Sequence, residues 1–318
     1  MLVAVSSSKV YIAMYCTFYQ LFENPFKPTP DPRFLFLTPE HREALSSMLY
    51  MIRERRGFAA ITGDVGTGKT MLVHYLLNAL GGRVQTAFIF HTYVSFVQLV
   101  QKIFIDLCIP LATDNKVFLV DRLNRYLVER LAEGEIVAVV IDEAHNLSNC
   151  VLEELRMLSN LETPRAKLLQ ILLVGQPELE EKLNSHELRQ LKQRIGIRRK
   201  IKPLTAAECA KYIDYRLRIV GSSASRVFTS GALALIFERS EGVPRGINML
   251  CDNALLTGYA VRKAVVDEQI VQEVIHDMKS TDAITSVSAA AVDAEENISR
   301  RRLGRLQRLL KTLMKRRL

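Results

Sequence analysis

Three things are scarce in this 318-residue chain, and each scarcity removes a class of protein. No run approaches the roughly 20 apolar residues that a membrane-spanning helix needs. The opening MLVAVSSSKVYIA carries Lys9 as its only charge, so it lacks the basic start of a secretory signal and points to a cytoplasmic location. Cysteine is sparse: Cys16, Cys108, Cys150, Cys209 and Cys251 form an odd set without paired spacing, which argues against a disulfide framework and a zinc site, and they read as small core hydrophobes. His41, His74, His91, His145, His186 and His276 show no metal-ligand spacing either. What is abundant is apolar content, at 48%, enough for one large core or two modest ones.

Net charge is +9, and its position matters more than its size. Nine of the 43 Lys and Arg are Arg300, Arg301, Arg302, Arg305, Arg308, Lys311, Lys315, Arg316 and Arg317, with no acid among them. The remaining 34 cations face 34 Asp and Glu, so the excess lies wholly in the tail.

The chemistry starts at Gly63, Asp64, Val65, Gly66, Thr67, Gly68, Lys69 and Thr70, which fit the phosphate-loop pattern G-x-x-x-x-G-K-[ST]. Phe58 to Thr62 before it reads as a buried strand and Met71 to Leu80 after it as a helix, so the glycines fall where strand turns to helix. Successive N–H groups converge on an anion only where side chains do not intrude and positive φ is accessible. Lys69 is then placed for the β and γ phosphates and Thr70 for magnesium. An accidental glycine-rich turn is the competing reading.

Downstream the pattern alternates. Strands are expected at Ala87 to Phe90, Ile136 to Ile141, Leu168 to Val174 and Arg198 to Ile201, with helices at Phe96 to Phe104, Val117 to Leu131 and Val151 to Leu161. With the first strand this makes a doubly wound parallel five-stranded sheet. From Leu204 the signals turn helical, at Ala206 to Val220, Ser230 to Ser240, Arg245 to Arg262 and Asp267 to Met278, which reads as a small all-helical unit. The expected organisation is an extension and linker over 1–40, a nucleotide-binding αβα unit over 41–203, a helical lid over 204–279, and a flexible linker with a basic tail over 280–318. A triphosphate site needs a second carboxylate for the metal and a base for water. Asp142 and Glu143, ending the β-branched run at Ile141, supply both, unless they are only the acids that favour a helix start. His145, two residues on, is read as a solvent-facing helix residue.

The loop GDVGTGKT, the strand end VVIDEAHNL, the strand LLVGQPEL, the segment LRQLKQRI and the helix GVPRGINMLCDNAL, in this order, resemble AAA+ ATPases of the general secretion pathway protein A type. The stretch Asn24 to Leu45 is similar to what precedes the loop in that family, and the likeness runs from Met14 to Met278. Members often begin near Met14, which would make the first thirteen residues an upstream start. The resemblance implies a P-loop AAA+ fold that binds and hydrolyses ATP with Mg2+ as a homo-oligomer. It implies a sensor role for Gln176, where a Gly-Gln-Pro turn competes, and a lid-to-phosphate role for Arg245, where a surface arginine competes. It implies for Arg194 an arginine finger completing a neighbour's site, with Arg189, Arg198 and Arg199 as rivals.

Longer members of that family continue through a membrane span. Here Leu303, Leu306, Leu310 and Leu313 fall at helical spacing among cations, an apolar stripe opposite a basic face. An anionic membrane surface bound through Arg300 to Leu318, a nucleic-acid arm and a partner helix compete for it, and nothing aromatic interleaves the arginines for single-strand stacking. The function expected is an ATPase at the cytoplasmic side, peripheral at the inner face of the membrane, assisting assembly of a secretion or cell-envelope complex. A nucleotide-gated DNA-binding protein of the transposition type and a slow nucleotide switch on a scaffold are the alternatives; the balanced charge outside the tail weighs against nucleic acid.

Overall fold

The computed structural model describes residues 15–278 apart from 30, 112 and 165. The expectations for the first thirteen residues, for the linker from 280 and for the basic tail 300–318 lie outside the described residues.

Every strand of the main sheet is parallel, in the order β2 (Val84–Ile89), β3 (Ile136–Ile141), β6 (Leu169–Gly175), β1 (Phe58–Gly63), β7 (Ile195–Ile201). Side chains alternate across a strand, so a near-continuous apolar run buries both faces when helices cover both. The strands obey this alternation. Val137, Val139 and Ile141 of β3 face one core, with Ile171 and Leu173 of β6, while Ala138 and Val140 face the other with Leu172 and Val174. The second face is covered by α1 (Pro39–Arg53) and α2 (Lys69–Leu80), through Met48, Met51, Leu72 and Leu76. The first face carries α3 (Phe96–Asp106), α4 (Lys116–Ala132), α5 (Asn149–Leu158), α6 (Pro177–Asn184) and α7 (Arg189–Arg194). Helix starts are fixed locally: Ser95 forms a capping box with Gln98, and Thr38, Asn115 and Ser148 cap α1, α4 and α5.

Several boundaries differ from the periodicity; the second strand, for one, begins at Val84, three residues before the expected Ala87. The last strand begins at Ile195, so Arg194 ends α7 where the chain turns into β7. The helix expected to reach Leu161 stops at Leu158, because the chain turns into a two-strand antiparallel ribbon, β4 (Glu162–Thr163) and β5 (Ala166–Lys167).

The third core belongs to the helices after β7: α8 (Ala206–Ile219), α9 (Ala224–Val227), α10 (Ser230–Ser240), α11 (Pro244–Ala260) and α12 over 268–278. Residues 15–36, which the sequence places in an extension before the nucleotide-binding unit, add Tyr15, Cys16, Tyr19, Leu21, Phe26 and Phe34 to this core. Polar bonds fix the attachment: the Tyr15 hydroxyl and Asn24 Nδ2 both donate to Asp252 Oδ1, at 2.5 and 3.0 Å, and Tyr19 donates to the Lys263 carbonyl at 3.0 Å. Cys16, Cys209 and Cys251 are buried as expected of small hydrophobes, whereas Cys108 and Cys150 are exposed, a correction to the core reading. Cys108 sits with φ of 55° just past α3, and Cys150 lies in the first turn of α5, outside its buried set Val151, Leu152, Leu155 and Leu158. No helix among the described residues is long and apolar enough to cross a membrane.

Candidate nucleotide site

At the carboxyl ends of β1, β3 and β6 the connecting turns meet, which is where an open parallel sheet presents its ligands. Gly63 ends β1, and the following turn needs positive φ: Gly66 has φ of 81° and Gly68 of 94°. Gly66 has a second reason to lack a side chain, since a Cβ there would stand 2.7 Å from the Arg245 Cβ. The loop opens α2, whose first N–H groups and dipole favour an anion. Lys69 is 6% exposed, and its Nζ donates to the carbonyls of Gly63 and Asp64, both at 2.8 Å. Burial lowers its pKa, against the opposing pull of Glu143, Asp142, Asp64 and Glu178. It forms no ion pair among the described residues, so the ammonium is held by dipoles and left free for an anionic ligand.

The strand-end acids come to the same place. The Thr70 hydroxyl donates to Asp142 Oδ2 at 2.7 Å, across 72 positions of sequence. Glu143 adopts a left-handed backbone, φ 51°, with its own N–H donating to Asp142 Oδ1 at 2.9 Å. That turn aims its carboxylate toward Gln176, whose Nε2 donates to Glu143 Oε2 at 3.2 Å. The sequence leaves Gln176 open between a sensor and a turn; it caps α6 through its position and carries its amide to Glu143.

His145 is not the solvent-facing helix residue expected. Its side chain is 13% exposed in a short 3-10 turn, Nε2 lies 3.4 Å from Glu143 Oε2, and Nδ1 accepts the Gln176 N–H at 3.4 Å. The reason is the turn at Glu143, which swings the following residues back over β6. The sequence pattern assigns His41 no role. It is buried, donates through Nε2 toward the Thr67 carbonyl at 3.4 Å, and accepts the Thr38 hydroxyl at Nδ1, 2.7 Å away. Its signal is the capping sequence Thr38, Pro39, Glu40, His41, but nothing local says that the cap faces the phosphate loop.

A cavity of about 580 Å³ joins these parts to the helices after β7. Gly66, Gly68, Lys69, Thr70 and Glu143 line one end; Phe26, Phe34, Phe36, Tyr212, Arg216 and Asn248 line the other. Arg245 lies on the wall between them, and its N–H donates to the Gly66 carbonyl at 3.3 Å. Arg194 is elsewhere. It bonds Asn160 through Nη2 at 3.2 Å and shares a separate cleft with Arg156, Arg189, Gln190 and Gln193. Two of its rivals are tied up: Arg198 pairs with Glu180 and Arg199 with Glu43.

Residues 52–183 match the family described as AAA domain. A general secretion pathway protein A from Aeromonas hydrophila is 38% identical over 248 residues, 78% of this chain and 45% of that protein, so the chain spans under half the length of this curated relative. Among solved structures, Drosophila ORC bound to DNA is similar with a TM-score of 0.61 and 17% identity, over 87% of this chain and 68% of that one. The Aeropyrum pernix ORC2 protein in its ADPNP–ADP complexes is similar with a TM-score of 0.58 and 16% identity, over 79% and 70%. At such identities the structures speak to the fold alone.

Proposed function

We propose that this chain, which belongs to the AAA+ P-loop proteins, binds ATP with magnesium at the carboxyl ends of β1, β3 and β6, hydrolyses it, and works as a homo-oligomer assisting assembly of a secretion or cell-envelope complex. One observation carries the chemistry: a loop threonine and a strand-end aspartate 72 positions apart share a 2.7 Å hydrogen bond. The glutamate beside them pairs, among the described residues, with no cationic side chain apart from the neighbouring histidine. Magnesium, when bound, draws charge from the phosphate oxygens, and a hydroxyl with a carboxylate is the hard-oxygen donor set it takes. Thr70 and Asp142 would hold it. Lys69 and the N–H groups of the loop bind the phosphates. Glu143 accepts the proton of the attacking water, while Gln176 and His145 hold its carboxylate in place. Arg245 reaches the phosphates from the lid, and its contact with Gly66 couples lid position to loop occupancy.

Likeness to a general secretion pathway protein A and the place of Arg194 support the assembly role. An arginine on an exposed cleft, away from its own cavity, suits the site of a neighbouring subunit. The basic tail 300–318 suits an anionic membrane surface, which would keep the protein peripheral to the cytoplasmic face.

Two substitutions separate binding from turnover. Lys69→Ala should abolish ATP binding, whereas Glu143→Gln should keep it and lose about 10²-fold or more of the hydrolysis rate, since only the base is removed. Undiminished turnover by purified Glu143→Gln sinks the catalytic assignment.

A further inference from the structure

Opposite the phosphate loop, the cavity holds a buried cation that phosphate chemistry leaves unused. Arg216 of α8 is 5% exposed yet lines the cavity wall. Its Nη1 donates to the Tyr212 hydroxyl at 2.6 Å and to Asn248 Oδ1 at 2.8 Å. The guanidinium carbon lies 4.8 Å from the centre of the Phe34 ring and 5.4 Å from that of Tyr212. Among the described residues it forms no ion pair, and its Nε is buried without a hydrogen-bond partner. Burying a guanidinium with no acid paired to it is costly unless an acceptor reaches it; Asp252, on the same cavity wall, is engaged by Tyr15 and Asn24, and aromatic faces offset only part of that cost.

The position selects which part of a nucleotide that acceptor belongs to. Arg245, at the start of α11, touches the loop at Gly66, while Asn248, the residue Arg216 touches, lies three positions on, about 4.5 Å along the helix axis. Arg216 therefore stands a turn beyond Arg245, among aromatic rings, so Lys69 and Arg245 meet the phosphates first. A flat apolar slot with one directed donor suits a nucleobase, whose faces stack and whose ring nitrogens accept. Neither the loop nor the strand-end acids can tell one base from another, because they address phosphate and metal. We propose that Arg216 is the base-reading residue of this site: it donates to a ring nitrogen of a purine seated against Phe34 and so sets the preference among nucleotides. This rests on the ATP reading above.

The test compares ligands that share phosphates but differ in the base. Full-length chain is titrated with ATP, with 1-deaza-, 3-deaza- and 7-deaza-ATP, and with inorganic tripolyphosphate. In the unmodified chain one deaza analogue should bind at least about fivefold more weakly than ATP, because a site built to donate penalises the missing acceptor. Arg216→Lys and Arg216→Met should weaken ATP by about tenfold and erase that difference, with tripolyphosphate affinity unchanged. Equal affinity for all three analogues overturns the proposal, and that comparison needs no variant to fold. So does an equal loss of tripolyphosphate and ATP in either variant, which would move Arg216 to the phosphates. Unaltered ATP binding by a variant that unfolds at the parent's temperature overturns it as well. If the unmodified chain binds neither ATP nor tripolyphosphate, it is the ATP reading itself that fails.

Discussion

The two ends of the cavity are built in opposite ways. The phosphate end is eight consecutive residues and two strand ends, and most of its geometry is backbone: positive φ at Gly66 and Gly68, the open N–H groups of α2, and the turn at Glu143. The other end is side chains from segments some two hundred positions apart, with Phe26 and Phe34 set against Tyr212, Arg216, Asn248 and Asp252. Backbone recognition needs particular residue types in a fixed local order, and so leaves a motif. Side-chain recognition across a fold needs only that aromatic and polar groups arrive together, which many spacings achieve.

If that contrast is right, one added side chain should damage the first end more than the loss of a whole contact damages the second. Gly66→Val places a β-branched side chain at φ 81°, with its Cβ 2.7 Å from Arg245. The loop relaxes out of its anion-cradling conformation rather than hold strain of about 1–3 kcal/mol against Arg245 and Val243, so ATP affinity should drop by about 100-fold while the unfolding temperature falls by no more than a few degrees. Titration calorimetry beside a thermal melt reads both. A large fall in melting temperature would mean that the loop is part of the folding core and break the contrast.

At the second end the loss should appear in stability. Asp252→Ala leaves the Tyr15 hydroxyl and Asn24 amide without their shared acceptor, at a cost of about 1–3 kcal/mol for buried polar groups unpaired. Denaturant unfolding should register it, with residues 15–36 becoming more sensitive to protease than the sheet. Uniform sensitivity along the chain would show that the N-terminal segment and helical lid are not fastened through this residue.

The same contrast sets how far the sequence can be read. Ile136–Ile141 is legible to the residue because a strand buried on both faces is a continuous β-branched run. Lys69, Thr70 and Asp142 are legible because a phosphate-loop pattern and an acid ending a buried strand fix residue types in a local order, and the fold brings Thr70 to Asp142. Gln176 and Arg245 need a family resemblance, since a lone Gln or Arg after a turn is ordinary; the structure brings the Gln176 amide to Glu143 and the Arg245 backbone to Gly66, and leaves Arg194 outside the cavity. His145 misleads because no local residue type announces the left-handed turn at Glu143 that folds it back beside Gln176. Tyr15 and Phe26 are invisible as members of the helical core, as their partners lie more than two hundred positions downstream or in a core the local pattern does not announce.

The smallest effect should come from a residue that joins the start of α1 to the loop. His41 follows the N-terminal segment and meets the loop at the Thr67 carbonyl. Burial lowers its pKa, with the Thr67 bond and the charges of Glu40 and Glu208 opposing. A histidine whose folded pKa lies below its unfolded value, about 6.5, binds fewer protons when folded. Between the two values the unfolded chain therefore takes up more protons, so stability is full above about pH 6.5 and is lost as pH falls through that window. Protonation would also cost Nδ1 its role as acceptor for Thr38. Comparing urea unfolding at pH 7.5 with pH 5.5, the parent should lose more stability than His41→Gln, by about 1 kcal/mol at most. Identical losses in the two proteins would mean that His41 titrates alike folded and unfolded, and that the junction between segment and loop carries no proton-linked strain.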